Sequence, residues 1–289
     1  MNFQLSQKSI NESEYTLFKD YIAQRSGIVI PPEKYYLLET RFSKFMADAG
    51  TDSFSEFYDY LISGLDPMLP EKLINSITTN ETRWFRDETP WKILESSLLP
   101  GLVDALISRK KARVRIWSAA ASTGQEIYST AMCIDNYLAK HHVKEVSLSD
   151  FDFLATDISS HVLSIAKKGR YDKISINRGL NETYKNKYFT ENSSAWDIDP
   201  RIRGAVRFER FNLQHNYTTL GMFDIVFCRY VLIYFSDELK KEIISKIHSQ
   251  LFNGGVLFTG NYALYNLFED GFNMSHCENL TYYTKKGGL

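Results

Sequence analysis

The run Val114-Arg-Ile-Trp-Ser-Ala-Ala-Ala-Ser-Thr-Gly-Gln-Glu126 passes from a β-rich strip to a turn of small residues and then to a helical pattern. Small side chains let the backbone come close to a ligand, Gly124 relieves the turn, and a helix beginning near Gln125 points free N–H groups back at the same place. This is the pattern of a nucleotide-type cofactor site, with Ala120 in the turn and Glu126 adding a carboxylate; tight strand-to-helix packing uses the same residues. A second carboxylate, Asp157, ends the strip Phe153-Leu-Ala-Thr-Asp157-Ile. It can accept both hydroxyls of a ribose, while Asp157, Ser159 and Ser160 are also placed to cap the next helix. Asn212-Leu213 offers an amide beside an apolar residue, a pair that holds a purine by edge and face, although Asn212 by itself is more often a turn residue. The strip Phe223-Asp-Ile-Val-Phe-Cys-Arg229 is apolar enough to be central in a sheet.

These residues need a scaffold, and the apolar spacing supplies one. Helical periodicity over Tyr15–Ser26, Tyr35–Ala49 and Phe54–Ser63, punctuated by Gly27, Pro31-Pro32, Gly50 and Pro67, predicts an all-helical N-terminal domain. Asp52 or Ser53 can cap the third helix, with Glu56 at capping-box spacing, and Gly50 closes the second. From Val114 onward short apolar strips alternate with helices. Strands are expected at Val114–Ser118, Phe151–Thr156, Val206–Asn212, Phe223–Arg229, Gly255–Gly260 and Leu280–Lys285, and helices at Gln125–Lys140, Ser160–Lys168 and Asp237–Leu251. Such alternation predicts an α/β domain with a doubly wound, mainly parallel sheet, which binds ligands at the carboxyl ends of its strands.

With 289 residues, 44% of them hydrophobic, the chain can build one large or two moderate domains. A formal net charge of −1 gives no bulk attraction to nucleic acid or anionic lipid. No apolar run approaches the roughly 20 residues of a membrane-spanning helix, and the polar opening Met1-Asn-Phe-Gln-Leu-Ser is unlike a signal peptide. A cytoplasmic protein is expected. Cys133, Cys228 and Cys277 are widely spaced and read as buried free thiols, and the histidines fall into no ligand spacing, so no metal is expected.

Two cofactor classes use this layout. A dinucleotide wants a glycine-rich turn for its pyrophosphate, whereas this turn has one glycine and ends on Glu126, which would repel a diphosphate. An ammonium and a sulfonium would be attracted instead, which points to S-adenosylmethionine. The step Leu251-Phe-Asn-Gly-Gly-Val-Leu-Phe258, read as a helix giving way through paired glycines to a strand, suits the same class.

The segments Thr78-Thr-Asn80-Glu-Thr82-Arg-Trp-Phe85-Arg86, Trp117–Glu126, Ala155-Thr-Asp157-Ile, and Phe227-Cys-Arg229 with Ile233-Tyr234-Phe235 together resemble the successive motifs of CheR chemotaxis receptor methyltransferases. The resemblance spans nearly the whole chain. It implies a small helical N-terminal domain (1–77), a linker contributing to the cofactor site (78–92) and a Rossmann-like S-adenosylmethionine-dependent methyltransferase domain (93–289) with a shortened antiparallel β-subdomain inserted at about 171–212. It implies methyl transfer to glutamate side chains on the cytoplasmic helical domain of a chemoreceptor, giving γ-glutamyl methyl esters. Residue by residue, Asn80, Thr82 and Arg86 would reach over the cofactor from the linker. Glu126 would take its ammonium, Asp157 its ribose, and Asn212 with Leu213 its adenine; backbone at Tyr230 and Val231 would also line the site. Arg86 would guide the substrate carboxylate and Tyr234 would line the transfer site. Ordinary alternatives are an Arg86 salt bridge with Asp87 or Glu88 and a structural Tyr234.

Three positions depart from the family pattern. Tyr230 stands where Cys-Arg-Asn-Val has its asparagine, Gly260-Asn-Tyr-Ala263 replaces Gly-His-Ser-Glu, and the stretch Tyr184–Arg210, where the subdomain is inserted, is short for strand addition by a receptor tail. The helix at Tyr35–Asp48 carries mixed charges, Arg41 and Lys44 against Glu39 and Asp48, so electrostatic steering to a partner would be modest. A non-catalytic module of the same fold, docking to a receptor or regulator, is the alternative that Tyr230 and Ala263 favour.

Overall fold

The protein is described by a computed structural model covering residues 9–260, 271–278 and 280–287. The chain falls into two compact units, one comprising residues to Thr79 with Tyr234–Leu239, the other Asn80–Ile233 with Lys240–Leu289.

The first unit contains α1 (Glu12–Ser26), α2 (Tyr36–Ala49), α3 (Phe54–Ser63) and α4 (Leu69–Ile77). Helix α1 starts in a capping box, the Asn11 amide oxygen accepting from Glu14 N at 2.9 Å while Glu14 accepts from Asn11 N at 3.0 Å. Ser53 caps α3 by accepting from Glu56 N at 3.1 Å, but the Glu56 carboxylate turns to Asp52 N at 2.7 Å. Gly50, at φ 69°, ends α2 in the left-handed conformation that glycine adopts without a Cβ penalty. Helix α4 escapes periodicity because it is short and carries Pro70 in its first turn, where a missing N–H costs nothing. Phe18 sits at the centre of the bundle, its ring 5.2 Å from Phe42, 5.9 Å from Phe54 and 5.8 Å from Phe57. Each such ring, fully buried, contributes about 1.5–3 kcal/mol.

The second unit opens with α5 (Thr89–Ile93) and α6 (Leu99–Ile107), joined through one wide π turn at Leu94–Leu98. There follow β1 (Val114–Ala119), α7 (Gln125–Lys140), β2 (Phe151–Asp157) and α8 (Ser160–Lys168). A small segment then inserts: β3 (Arg170–Asp172), α9 (Lys173–Ile176), α10 (Glu182–Tyr188), β4 (Phe189–Asn192) and β5 (Ala195–Ile198). The domain resumes with α11 (Pro200–Ala205), β6 (Val206–Arg210), β7 (Phe223–Phe227), α12 (Asp237–Ser249), β8 (Leu251–Phe258), β9 (Phe272–Cys277) and β10 (Leu280–Lys285).

The main sheet has the order β6-β2-β1-β7-β8-β10-β9. The first five strands are parallel and β10 and β9 are antiparallel additions at one edge. Strand order reverses beside β1, so the crevice between the carboxyl ends of β1 and β7 is the switch point of the sheet. The inserted strands form a separate antiparallel sheet, β3-β5-β4, which begins at Arg170 and closes at Ile198, earlier than Tyr184–Arg210. Its Tyr171 hydroxyl donates to Thr123 O at 2.8 Å and ties the insertion to the turn after β1.

Three expected boundaries move for local reasons. The glycines Gly254 and Gly255 do not separate helix from strand; they lie inside β8, where the register to β7 slips between Phe223–Leu251 and Ile225–Val256. Gly254 takes φ 78°, and a Cβ on Gly255 would stand 2.8 Å from Phe252 O. This is a bulge, for which glycine is suited. Strand β7 stops at Phe227, ahead of the left-handed turn at Tyr230 (φ 59°), and β6 stops at Arg210, after which Phe211 N donates to Asp157 O at 2.9 Å. Cys133 and Cys228 are buried free thiols, while Cys277 on β9 is half-buried.

Candidate functional site

Strand β1 delivers the chain to a tight turn in which Ala120 (φ 61°), Ser122 (φ 51°) and Gly124 (φ 92°) all have positive φ. Non-glycine residues hold this conformation only when neighbours over-determine it. Here Ala121 N donates to Thr156 O at 2.9 Å, Gly124 N to Ala121 O at 3.0 Å, and Ser122 Oγ to Asn80 O at 3.0 Å. A side chain at Gly124 would press on Ala166 Cβ at 3.0 Å and the Tyr128 ring at 3.2 Å. The N-terminus of α7 is thereby brought against β2 and α8.

Asp157 ends β2, buried, with Oδ2 accepting from Ser122 N at 2.8 Å and Oδ1 from Ser159 N at 2.9 Å. The cap of α8 is Ser159, whose hydroxyl accepts from Val162 N at 3.4 Å, so neither Asp157 nor Ser160 is consumed as the cap. Burial raises the Asp157 pKa despite the N–H groups of Ser159, Ser122 and Ile158, which act to lower it. An ionised carboxylate offers about four lone-pair directions, so beyond these N–H groups this one keeps acceptor capacity for a further hydroxyl.

Glu126, in the first turn of α7, accepts from Ser118 Oγ at 2.7 Å and pairs with Arg229 Nη1 at 2.9 Å. Arg229 is 1% exposed at its side chain and also donates from Nη2 to Asp87 Oδ2 at 2.7 Å and to Arg86 O at 2.8 Å. Its Nε is buried without a partner among the described residues. One guanidinium thus bridges two carboxylates, Glu126 of α7 and Asp87 of the segment before α5. Burial pushes the Asp87 carboxyl upward, but the Tyr230 hydroxyl, Arg229, Arg86 and Arg83 together hold its pKa below the ordinary value. Tyr230 is raised in turn, by burial and then by its hydrogen bond to Asp87.

The segment carrying Asn80, Thr82 and Arg86 is fastened to the sheet domain through Trp84 and Phe85. Trp84 N donates to Arg178 O and its Nε1 to Ser175 O, each at 3.0 Å, and Phe85 N donates to Ser129 Oγ at 3.1 Å. Asn80 lends its carbonyl to the turn, and Thr82 is half-buried. Arg86 lies with its guanidinium carbon 3.6 Å from the centroid of the Tyr230 ring and donates from Nη1 to Glu81 O at 3.4 Å. Neither Asp87 nor Glu88 forms an ion pair with it among the described residues; Asp87 is engaged by Arg229 and Arg83.

In the loop after β6 the Asn212 oxygen accepts from Gln214 N at 3.0 Å, the side-chain turn that asparagine favours, and Leu213 is buried with its carbonyl accepting from Tyr217 Oη at 2.9 Å. Val231 is half-buried beside Tyr230. Tyr234 groups with the helical unit, where its carbonyl accepts from Val29 N at 2.8 Å. Of Gly260-Asn-Tyr-Ala263, residues 261–263 lie outside the described residues. Sequence reading missed Ser118, Asp87 and Arg229 as site residues. The available signal was Arg229 itself, a cation ending an apolar central strand, which must find carboxylates to be buried.

The donor set is one strand-end carboxylate, Asp157, and one carboxylate in the first turn of α7, Glu126, with a one-glycine turn between β1 and α7. A one-glycine turn lacks the glycine-rich cradle of a dinucleotide pyrophosphate, and carboxylates at these two places are what an ammonium and a ribose require, so fold and site point to the S-adenosylmethionine-dependent methyltransferases as the class. Comparison with known families agrees: residues 80–280 match the CheR methyltransferase SAM binding domain and residues 13–78 the CheR methyltransferase all-alpha domain. Chemotaxis protein methyltransferase 1 of Pseudomonas aeruginosa is 38% identical over 270 residues, covering 93% of this chain and 96% of the relative. Chemotaxis protein methyltransferase Cher2 of Pseudomonas putida is 36% identical with the same coverage, and a chemotaxis protein methyltransferase of Vibrio anguillarum is 34% identical over 93% of this chain and 95% of the relative. The chain belongs to the CheR methyltransferase family. No helix among the described residues is long and apolar enough to cross a membrane.

Proposed function

We propose that the protein methylates glutamate side chains on the cytoplasmic helical domain of a chemoreceptor, giving γ-glutamyl methyl esters, and works in the cytoplasm. The observation that carries this reading is the placement of Arg86. It stands beside the network that joins Glu126 to Asp87, stacked on Tyr230, with one hydrogen bond to Glu81 O among the described residues. A guanidinium in that state can hold a carboxylate through paired N–H donors while remaining charged.

In this reading Glu126 binds the cofactor's ammonium, Asp157 its ribose, and Asn212 with Leu213 its adenine, with Asn80, Thr82, Ala120, Tyr230 and Val231 around it. S-adenosylmethionine, when bound, supplies an electrophilic methyl group. A glutamate carboxylate is ionised at neutral pH, so the chain needs no general base; its work is to place the anion and exclude alternatives. The segment 78–92 acts as the linker that brings Arg86 to the methyltransferase domain.

The names of the similar chemotaxis proteins support the receptor as substrate. The test is to incubate the protein with methyl-labelled S-adenosylmethionine and a chemoreceptor cytoplasmic fragment. Label on the fragment that is released as methanol by mild base identifies carboxyl methyl esters, and base-stable label would assign a different acceptor.

A further inference from the structure

Four residues in the vicinity of Arg86 hold backbone conformations that side chains normally avoid: Phe85 (φ 46°), Asp87 (φ 71°), Glu88 (φ 50°) and Tyr230 (φ 59°). Such conformations persist only where surrounding structure over-determines them, and they gather where a site needs its groups fixed. Arg86 lies in the chain between two of them and meets the side chain of a third, its guanidinium carbon standing over the Tyr230 ring at 3.6 Å.

Two neighbours fix the ring, Asp87 and Gly260. Its hydroxyl donates to Asp87 Oδ2, the same oxygen that accepts from Arg229. The ring also lies against Gly260, at φ 71°, where a Cβ would stand only 3.1 Å from it, so the absence of a side chain is what lets the phenol lie there. With the ring against its guanidinium carbon, Arg86 spends one N–H on Glu81 O and keeps others for a ligand.

We propose that Tyr230 is a positioning residue for methyl transfer: its ring is the shelf that sets the plane of Arg86, and its bond to Asp87 locks the shelf to the Arg229–Glu126 pair. The carboxylate guide and the cofactor-side carboxylate are then parts of one rigid assembly. This inference rests on the reading of Arg86 as the guide for a substrate carboxylate.

The test compares the wild type with Tyr230→Asn and Tyr230→Phe. Asparagine tolerates the left-handed backbone at this position, so Tyr230→Asn removes ring and phenol without adding strain. The Arg86 side-chain protons, identified by their loss in Arg86→Lys, are read by NMR for the upfield shift that an aromatic face induces. In parallel, methyl transfer to a chemoreceptor cytoplasmic fragment and calorimetric affinity for S-adenosylhomocysteine are measured. The shift should be present in the wild type, kept in Tyr230→Phe and lost in Tyr230→Asn. With it kcat of Tyr230→Asn should fall about 10-fold or more, while KM for the fragment and affinity for S-adenosylhomocysteine change less than about threefold. No shift in the wild type, or a Tyr230→Asn protein with unchanged kcat, would overturn the proposal. So would a loss of kcat that merely follows a loss of cofactor-product affinity. A wild-type protein that binds S-adenosylhomocysteine and shows the shift, yet labels no fragment, would overturn the receptor reading while the shelf stands on the shift.

Discussion

Glu126 and Arg229 are 103 residues apart in the chain and 2.9 Å apart in the fold. The pair spans the switch point, because α7 starts from the turn after β1 and Arg229 follows β7, the strand hydrogen-bonded to β1. Since Arg229 also pairs with Asp87, the segment before α5 and the first turn of α7 share one cation.

Replacing Arg229 by Ala leaves Glu126 and Asp87 without their common partner in a poorly solvated place. Breaking a buried pair in this way costs about 3–5 kcal/mol. Chemical denaturation should show a loss of that order, and a loss under about 1 kcal/mol would mean that water replaces the guanidinium freely.

Asp157→Ala should weaken S-adenosylhomocysteine by about 1.5–3 kcal/mol, the scale of hydrogen bonds to a charged group. Calorimetry checks this, and unchanged affinity would remove Asp157 from the site. The same variant strips the acceptor from Ser122 N and Ser159 N, so its melting temperature should fall as well.

Arg86→Ala should slow methyl transfer by about 100-fold, the cost of losing substrate placement, while stability changes by less than about 1 kcal/mol, the worth of one exposed cation–π contact. Arg86→Lys should recover little, because an ammonium lacks the planar fork. Activity equal to wild type in the alanine variant would end the assigned role.

Acid should act on the two aspartates in opposite directions. Asp87 has its folded pKa below 3.8, so its contribution to stability is present above that value and disappears as the pH falls through the lower folded pKa; Asp87→Asn should flatten that part of the acid unfolding curve. Asp157 has its folded pKa above 3.8, so its ionised form costs stability at neutral pH and protonation on acidification relieves the cost. Because ribose hydroxyls would bond to the ionised form, affinity for S-adenosylhomocysteine should decline as the pH drops through the folded pKa of Asp157. Calorimetric titration at a series of pH values reads it, and a flat profile over that range would count against ribose binding by Asp157.

Gly124→Ala places a Cβ at φ 92° and 3.0 Å from Ala166 Cβ. A strained backbone of this kind costs about 1–3 kcal/mol. The thermal midpoint should fall accordingly, and an unchanged midpoint would show that the turn yields.

Much of the fold was legible because it depends on neighbours in sequence. Helices α7, at Gln125–Lys140, and α8, at Ser160–Lys168, have the limits that their apolar period, Gly124 and Gly169 dictate, and β10 matches Leu280–Lys285. Caps at Ser53 and Gly50 follow from side-chain chemistry within one turn. The carboxylates Glu126 and Asp157 stood out because each ends a local pattern. The tertiary structure alone decided which groups meet. Arg229 finds Glu126 and Asp87 across 103 and 142 residues, Tyr230 turns to a left-handed backbone and takes Arg86 on its ring, and Gly254-Gly255 becomes a bulge. Such choices depend on strand order and register, which bring distant residues within a few ångströms, and no local propensity carries that information.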